Sequence, residues 1–189
     1  MRTVFAITGL FIMATTSTTA FGFRKYLDQF SEHYDANSIP TVDLTDSQAC
    51  GICHVRPGGG GKRTPFGEDF KRISLGEGTG FPGIEFVDSD QDGFVNLEEI
   101  FLQTSPGNAD SAPQGRIELR LEGNSILTGS SSVNCSEMEL MAFGFKFANG
   151  TNSVRLANTS LKLDTSIQGN NGVVLAKCAK EGLVGSVQK

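Results

Sequence analysis

Part-way along this sequence the apolar residues change period, and that change limits the fold more than any other feature. Before Gly107 they recur at helical spacing: Phe23, Tyr26, Leu27, Phe30 and Tyr34 form one stripe, and Phe66, Phe70 and Ile73 another. After Gly115 they alternate. Ile117, Leu119 and Leu121 are interleaved with Arg116, Glu118, Arg120 and Glu122, and Met141, Phe143, Phe145 and Phe147 repeat the pattern. Alternation of this kind belongs to strands with one buried face. The expected fold class is α+β: a small α-helical module, then a small antiparallel β domain, sandwich- or barrel-like.

Turn residues punctuate the two halves. The first helix is expected to start at Phe23 and end near Asn37, with a loop through Pro40. A second, short helix should include Cys50 to His54, with Thr45, Asp46 or Ser47 as its N-cap, and end at Pro57 and the run Gly58 to Gly61. Thr64-Pro65 supplies an N-cap followed by proline at the first helical position of a third helix, which Gly76 stops. Residues Gly76 to Gly83 read as a loop, and Leu97 to Gln103 as a short helix terminated by Pro106 and Gly107. A linker over 107–115 separates a module at 23–106 from a β domain at 116–189. Within the β domain, Asn149-Gly150 offers a hairpin turn, Val154, Leu156, Leu161 and Leu163 continue the alternation, and Val173 to Cys178 form a final strand.

The first 22 residues are expected to be a signal peptide. Arg2 precedes an apolar stretch from Val4 to Ala14 that is too short to span a bilayer, and small-residue cleavage sites follow at Thr18-Thr19-Ala20 or Ala20-Phe21-Gly22. A transmembrane anchor is the competing reading. The expected location is the periplasm, or the cell surface after secretion, with no transmembrane segment once the signal is cleaved. Removing Arg2 makes the mature chain one charge more negative than the −5 of the full sequence. A nucleic-acid partner is excluded on that ground, because it calls for a basic face.

Export permits disulfides, and the four cysteines fall into two kinds of spacing. Cys135 and Cys178 are far apart and read as a bridge, worth about 4 kcal/mol to a loop of about forty residues. Cys50 and Cys53 lie within one turn in the run Cys50-Gly51-Ile52-Cys53-His54, the C-x-x-C-H pattern of covalent haem attachment. On one turn, two thiols can reach the two vinyl groups along a porphyrin edge, and His54 can then ligate the iron from below. A thioredoxin-like redox pair, a zinc site and a local disulfide are the rivals. The cofactor expected is covalent haem c on Cys50, Cys53 and His54. For the sixth iron ligand, His33, Met138, Met141, water or none stay open. Arg56, Lys62 and Arg63, set around four glycines, are candidates to neutralise the haem propionates.

A second chemistry lies in Asp88-Ser89-Asp90-Gln91-Asp92-Gly93-Phe94-Val95-Asn96-Leu97-Glu98-Glu99, which matches a twelve-position calcium loop. Asp88, Asp90 and Asp92 take positions one, three and five, and Gly93 makes the turn. Phe94 supplies a carbonyl, Asn96 holds position nine, and Glu99 can bind bidentately. Five acids within a dozen residues repel one another unless a cation intervenes. The approach to the loop is rich in Gly and Pro, so no entering helix is expected and the ion, Ca2+, reads as structural rather than signalling.

The stretch from Tyr26 to Gly115, about half of the chain, resembles a group of exported bacterial proteins. They join a C-x-x-C-H motif, a Pro-Gly-Gly and Phe-Gly segment, and a thrombospondin type 3-like calcium repeat. The matching residues are Cys50 to His54, Pro57 to Gly59, Phe66-Gly67, and Asp88 to Glu99 followed by Pro106-Gly107. The resemblance implies a monohaem cytochrome c-like module that binds calcium, and no substrate. The expected function is one-electron transfer to a redox partner protein in the periplasm or at the cell surface. No catalytic triad or paired-carboxylate site is visible. The alternatives are a haem-based enzyme or gas sensor with an open iron, and a calcium-binding surface or adhesion protein without haem.

Overall fold

The computed structural model describes residues 22–34, 47–56, 58–76, 78–123, 125–128, 135–143, 146–157, 167–168 and 172–188. The signal-peptide reading, apart from Gly22, lies outside them, as do Thr45, Asp46, Pro57, Phe145, Leu161 and Leu163. No helix among the described residues is long and apolar enough to cross a membrane.

The fold is α+β. Helix α1 covers Gly22–Tyr34 and sinks Phe30 into an aromatic core with Phe66, Phe70 and Phe81. Helix α2, Pro65–Asp69, starts as its sequence dictates: the Thr64 side chain accepts from Gly67 N at 3.1 Å, and Pro65 takes the position where no N–H is needed. It runs on as a π-helical segment, Phe70–Leu75, which ends with Gly76 as its C-cap, the residue expected to stop it. The turn before α2 departs from expectation. A 3-10 helix spans Ser47–Ile52, and His54 lies outside it, bridged to Arg63. Thr64 N donates to Cys53 O and Val55 N to Lys62 O, at 3.1 and 3.0 Å, so the backbone after Cys53 pairs across the glycine turn instead of winding onward.

A 3-10 turn, Phe81–Ile84, leads into the acidic loop, and α3 leaves it over Asn96–Leu102. Gln103 ends α3 in a left-handed conformation, φ 68°, ahead of the Pro106-Gly107 expected to do so. The stretch read as a linker is engaged at both ends. A Cβ on Gly107 would meet the Thr64 side chain at 2.9 Å, while Gly115 already pairs with Leu183.

The β half holds nine strands among the described residues: β1 Gly115–Arg116, β2 Leu119–Glu122, β3 Ser125–Thr128, β4 Glu137–Phe143, β5 Lys146–Phe147, β6 Ser153–Ala157, β7 Ile167–Gln168, β8 Val173–Cys178 and β9 Leu183–Gln188. Five of them form one sheet in the order β1-β9-β8-β4-β6, and β2-β3 and β5-β7 form two ribbons. The expectation of a wholly antiparallel domain is corrected at one edge, where β1 runs parallel to β9. The strand reading is corrected twice more. Residues 115–122 break into β1 and β2, and β9 follows the strand taken as the last. The chain does turn at Asn149-Gly150, where Gly150 N donates to Phe147 O at 2.8 Å and Phe147 N to Thr151 O at 3.0 Å. The strands on either side pair elsewhere, β6 with β4 and β5 with β7.

Strand β8 is apolar without alternation because both its faces are covered. Val174, Ala176 and Cys178 join a core with Leu140, Ile126 and Phe147, while Val173 and Leu175 pack with Leu97 of α3. The same two-sidedness reverses the reading of β4. Met138, Leu140 and Ala142 face the β core, and the half-buried Phe143 packs toward α3. Cys135 and Cys178 form the expected disulfide, with Cα atoms 5.7 Å apart.

Candidate cofactor cleft and metal loop

Cys50 and Cys53 are free thiols, and with His54 they line an apolar cleft of about 340 Å3. Ile52 and Gly67 complete that part of the wall; Tyr26, Leu27 and Phe30 of α1 and Phe70 and Leu75 supply more. His54 is buried, at 9% exposure. The motif is held against α2 by Thr64, whose hydroxyl donates to Ile52 O at 2.7 Å while accepting from Gly67 N. Gly67 is required here. A Cβ at that position would sit 2.0 Å from Cys53 O, so any other residue drives α2 off the motif. Burial, and secondarily the adjacent Cys50, push the Cys53 thiol up to about 12, with Arg63 pulling the other way.

The volume is in the range of about 300–1,000 Å3 typical of cofactor pockets, and an apolar cleft edged by two thiols and an imidazole fits a covalently held haem. Of the three bases proposed for the propionates, Arg63 lines the cleft, and it also pairs with Glu68 at 3.4 Å. Arg56 and Lys62 are exposed and do not line it, whereas Lys71 does. The candidate sixth ligands lie elsewhere. His33 bonds to Glu85 at 2.7 Å, stacks on Phe81 and borders a different cleft with Gln29 and Pro82. Met138 is in the β core, and Met141 borders a hollow beside α3.

In the acidic loop, ligand atoms of Asp88, Asp90 and Asp92 all lie within 4.8 Å of one another. Backbone N–H groups arrange them: Gln91 N and Gly93 N donate to Asp88, at 2.7 and 2.9 Å, and Phe94 N donates to Asp92 at 2.8 Å. Gly93, at φ 98°, makes the turn a side chain would strain. Glu99 is fully buried, and neither carboxylate oxygen has a hydrogen-bond partner; one oxygen each of Asp90 and Asp92 is likewise buried and unpartnered. Burial first, then the charges of Asp90, Asp92 and Asp88, raise the Glu99 carboxyl to about 9. Asp90 is raised by burial and by Asp92 in the same way. Three convergent carboxylates, with buried Glu99 feeling the charge of all three and unmet oxygens on Asp90, Asp92 and Glu99, suit a hard divalent cation. Asn96 is buried, and its amide N–H2 donates to Ile84 O and Ser89 Oγ at 2.8 and 3.0 Å, tying the loop's exit to its entrance.

Sequence reasoning passed over what fastens this loop to the sheet. Glu98 is as buried as its neighbour but turns the other way: it accepts from Ser186 Oγ of β9 at 2.7 Å and from Arg116 of β1 at 3.2 Å. Arg116 also donates to the Gly93 carbonyl and covers the Phe94 ring at 4.8 Å. The cleft's walls were more legible, since Tyr26, Leu27 and Phe30 share the apolar stripe of α1. No local signal marks Arg116 or Ser186. No family model matches this chain, and no curated protein or solved structure aligns with it significantly.

Proposed function

We propose that this is an exported monohaem c-type cytochrome-like protein that also binds calcium and transfers single electrons. The observation that carries the haem reading is the apolar cleft lined at once by Cys50, Cys53 and His54. Cys50 and Cys53 would hold the porphyrin through thioethers and His54 would ligate its iron; the haem supplies a one-electron couple. Arg63 and Lys71 border the same cleft and would balance the propionates. Calcium would bind Asp88, Asp90, Asp92 and Glu99, with the Phe94 carbonyl and Asn96 completing the loop's ligand set. Its role is structural, since a 3-10 turn and one short helix flank the loop and offer no helix pair to reorient.

Expression of the full chain with a bacterial haem-attachment system tests the first claim. The mature protein should gain the mass of one haem, and Cys50→Ala with Cys53→Ala should remove it. An unchanged mass in the wild-type chain defeats the cytochrome reading and leaves a calcium-binding exported protein.

A further inference from the structure

We infer that this chain leaves the second axial position of its haem iron unfilled, so that the cleft admits a small neutral diatomic ligand there. The inference rests on the haem reading above. The sequence holds two histidines and four methionines, and their positions can be followed one by one. His54 is the proximal ligand. His33 is held by Glu85 at 2.7 Å and by its stacking on Phe81, and it borders a separate cleft. Reaching the haem would break that pair and the contact with Phe81.

Met138, at 3% exposure, packs among Leu140, Val174 and Ala176 on the face of the sheet away from α3. Met141 borders the hollow between α3 and the sheet with Phe143 and Lys177. Met1 and Met13 precede the expected signal cleavage sites. The mature chain therefore has no imidazole or thioether to offer beyond His54.

Among the described residues of the lining, Tyr26 and Lys71 also carry atoms able to ligate iron. Tyr26 packs edge-on to Phe70, with ring centroids 5.6 Å apart, as a wall residue does. Lys71 is exposed on the π-helical segment. The rest of the lining is largely apolar, from Leu27, Phe30, Phe70 and Leu75, and such a wall suits a small neutral ligand. An iron with one strong protein ligand keeps its reactivity toward small molecules, which two strong ligands suppress.

The test uses the haem-loaded full chain, with loading verified by mass. Carbon monoxide is the probe, added after reduction with dithionite. A high-spin ferrous spectrum that converts fully to the carbon monoxide complex is expected. A low-spin ferrous spectrum indifferent to carbon monoxide overturns the inference while the haem reading stands. If Tyr26→Phe or Lys71→Leu turns an inert protein into one that binds carbon monoxide, that residue is the sixth ligand and the inference is equally overturned. A chain that gains no haem mass defeats both readings, so the two failures are distinguishable.

Discussion

The cleft at Cys50–His54 and the loop at Asp88–Glu99 are built in opposite ways. The loop draws its carboxylates from twelve consecutive residues, and local backbone N–H bonds and one left-handed glycine suffice to converge them. The cleft takes three chemical groups from one turn but its walls from α1 and the Phe70–Leu75 segment, which meet only through the aromatic core. The loop should therefore answer first to its ion, and the cleft to packing.

The sharpest way to break that contrast is to remove the ion. At a calcium concentration about a thousandfold above Kd, mass action should stabilise the chain by about 4 kcal/mol, and Asp88→Ala should erase this in calcium-dependent thermal melts. Unchanged protection would remove the loop as the site. The metal-free protein carries a pH signature of the same site. The folded-state value of Glu99 is raised from its ordinary 4.5 to about 9, so the stability tied to its proton is full below about 4.5 and is lost as the pH rises toward 9. Calcium should displace that proton at neutral pH, seen as binding heats that differ between buffers of unlike ionisation enthalpy. Glu99→Gln should flatten the pH slope and abolish calcium binding together.

A smaller effect is expected at the cleft. Gly67→Ala puts a methyl 2.0 Å from Cys53 O, which should cost about 3 kcal/mol by overpacking. Haem incorporation should fall, while calcium affinity, read by titration, stays as it was. Equal loss of both would mean that the two regions are not independent.

Arg116→Ala tests the fastening between loop and sheet. Buried Glu98 would keep Ser186 but lose its cation, at about 2 kcal/mol given that Arg116 is itself half exposed. Calcium affinity should weaken too, because Gly93 and Phe94 lose the guanidinium that holds them. Glu139→Gln should do least. Burial raises that carboxyl, but Lys177 at 3.1 Å and Arg155 at 3.4 Å outweigh it and hold it below the usual carboxylate range. The pair stabilises by roughly 0.5 kcal/mol above that range and loses this as the pH falls through it. A loss of calcium binding in this variant would show the sheet to be coupled to the loop by more than Arg116.

Where the ends of elements were marked by side-chain chemistry, they were readable from the residues: Thr64-Pro65 opens α2, and Gly93 turns the loop. Period was readable only where a single face is buried. It located β2 but misjudged β4. There the face that alternation left to solvent, with Leu140 and Ala142, packs into the β core, while Phe143 on the other face is only half buried toward α3. The parallel pairing of β1 with β9 has no local mark, since Gly115 and Arg116 make a strand only when β9 lies beside them.

The order of residues alone determined both candidate sites, because thiols one turn apart and carboxylates two residues apart converge through local backbone geometry. Only the tertiary structure decided that a cleft stands over the thiols, that His33 turns to Glu85 instead, and that Glu98 and Glu99 face opposite ways. Each of these depends on groups dozens of residues away, and solvent exclusion between such groups is a property of the packed chain.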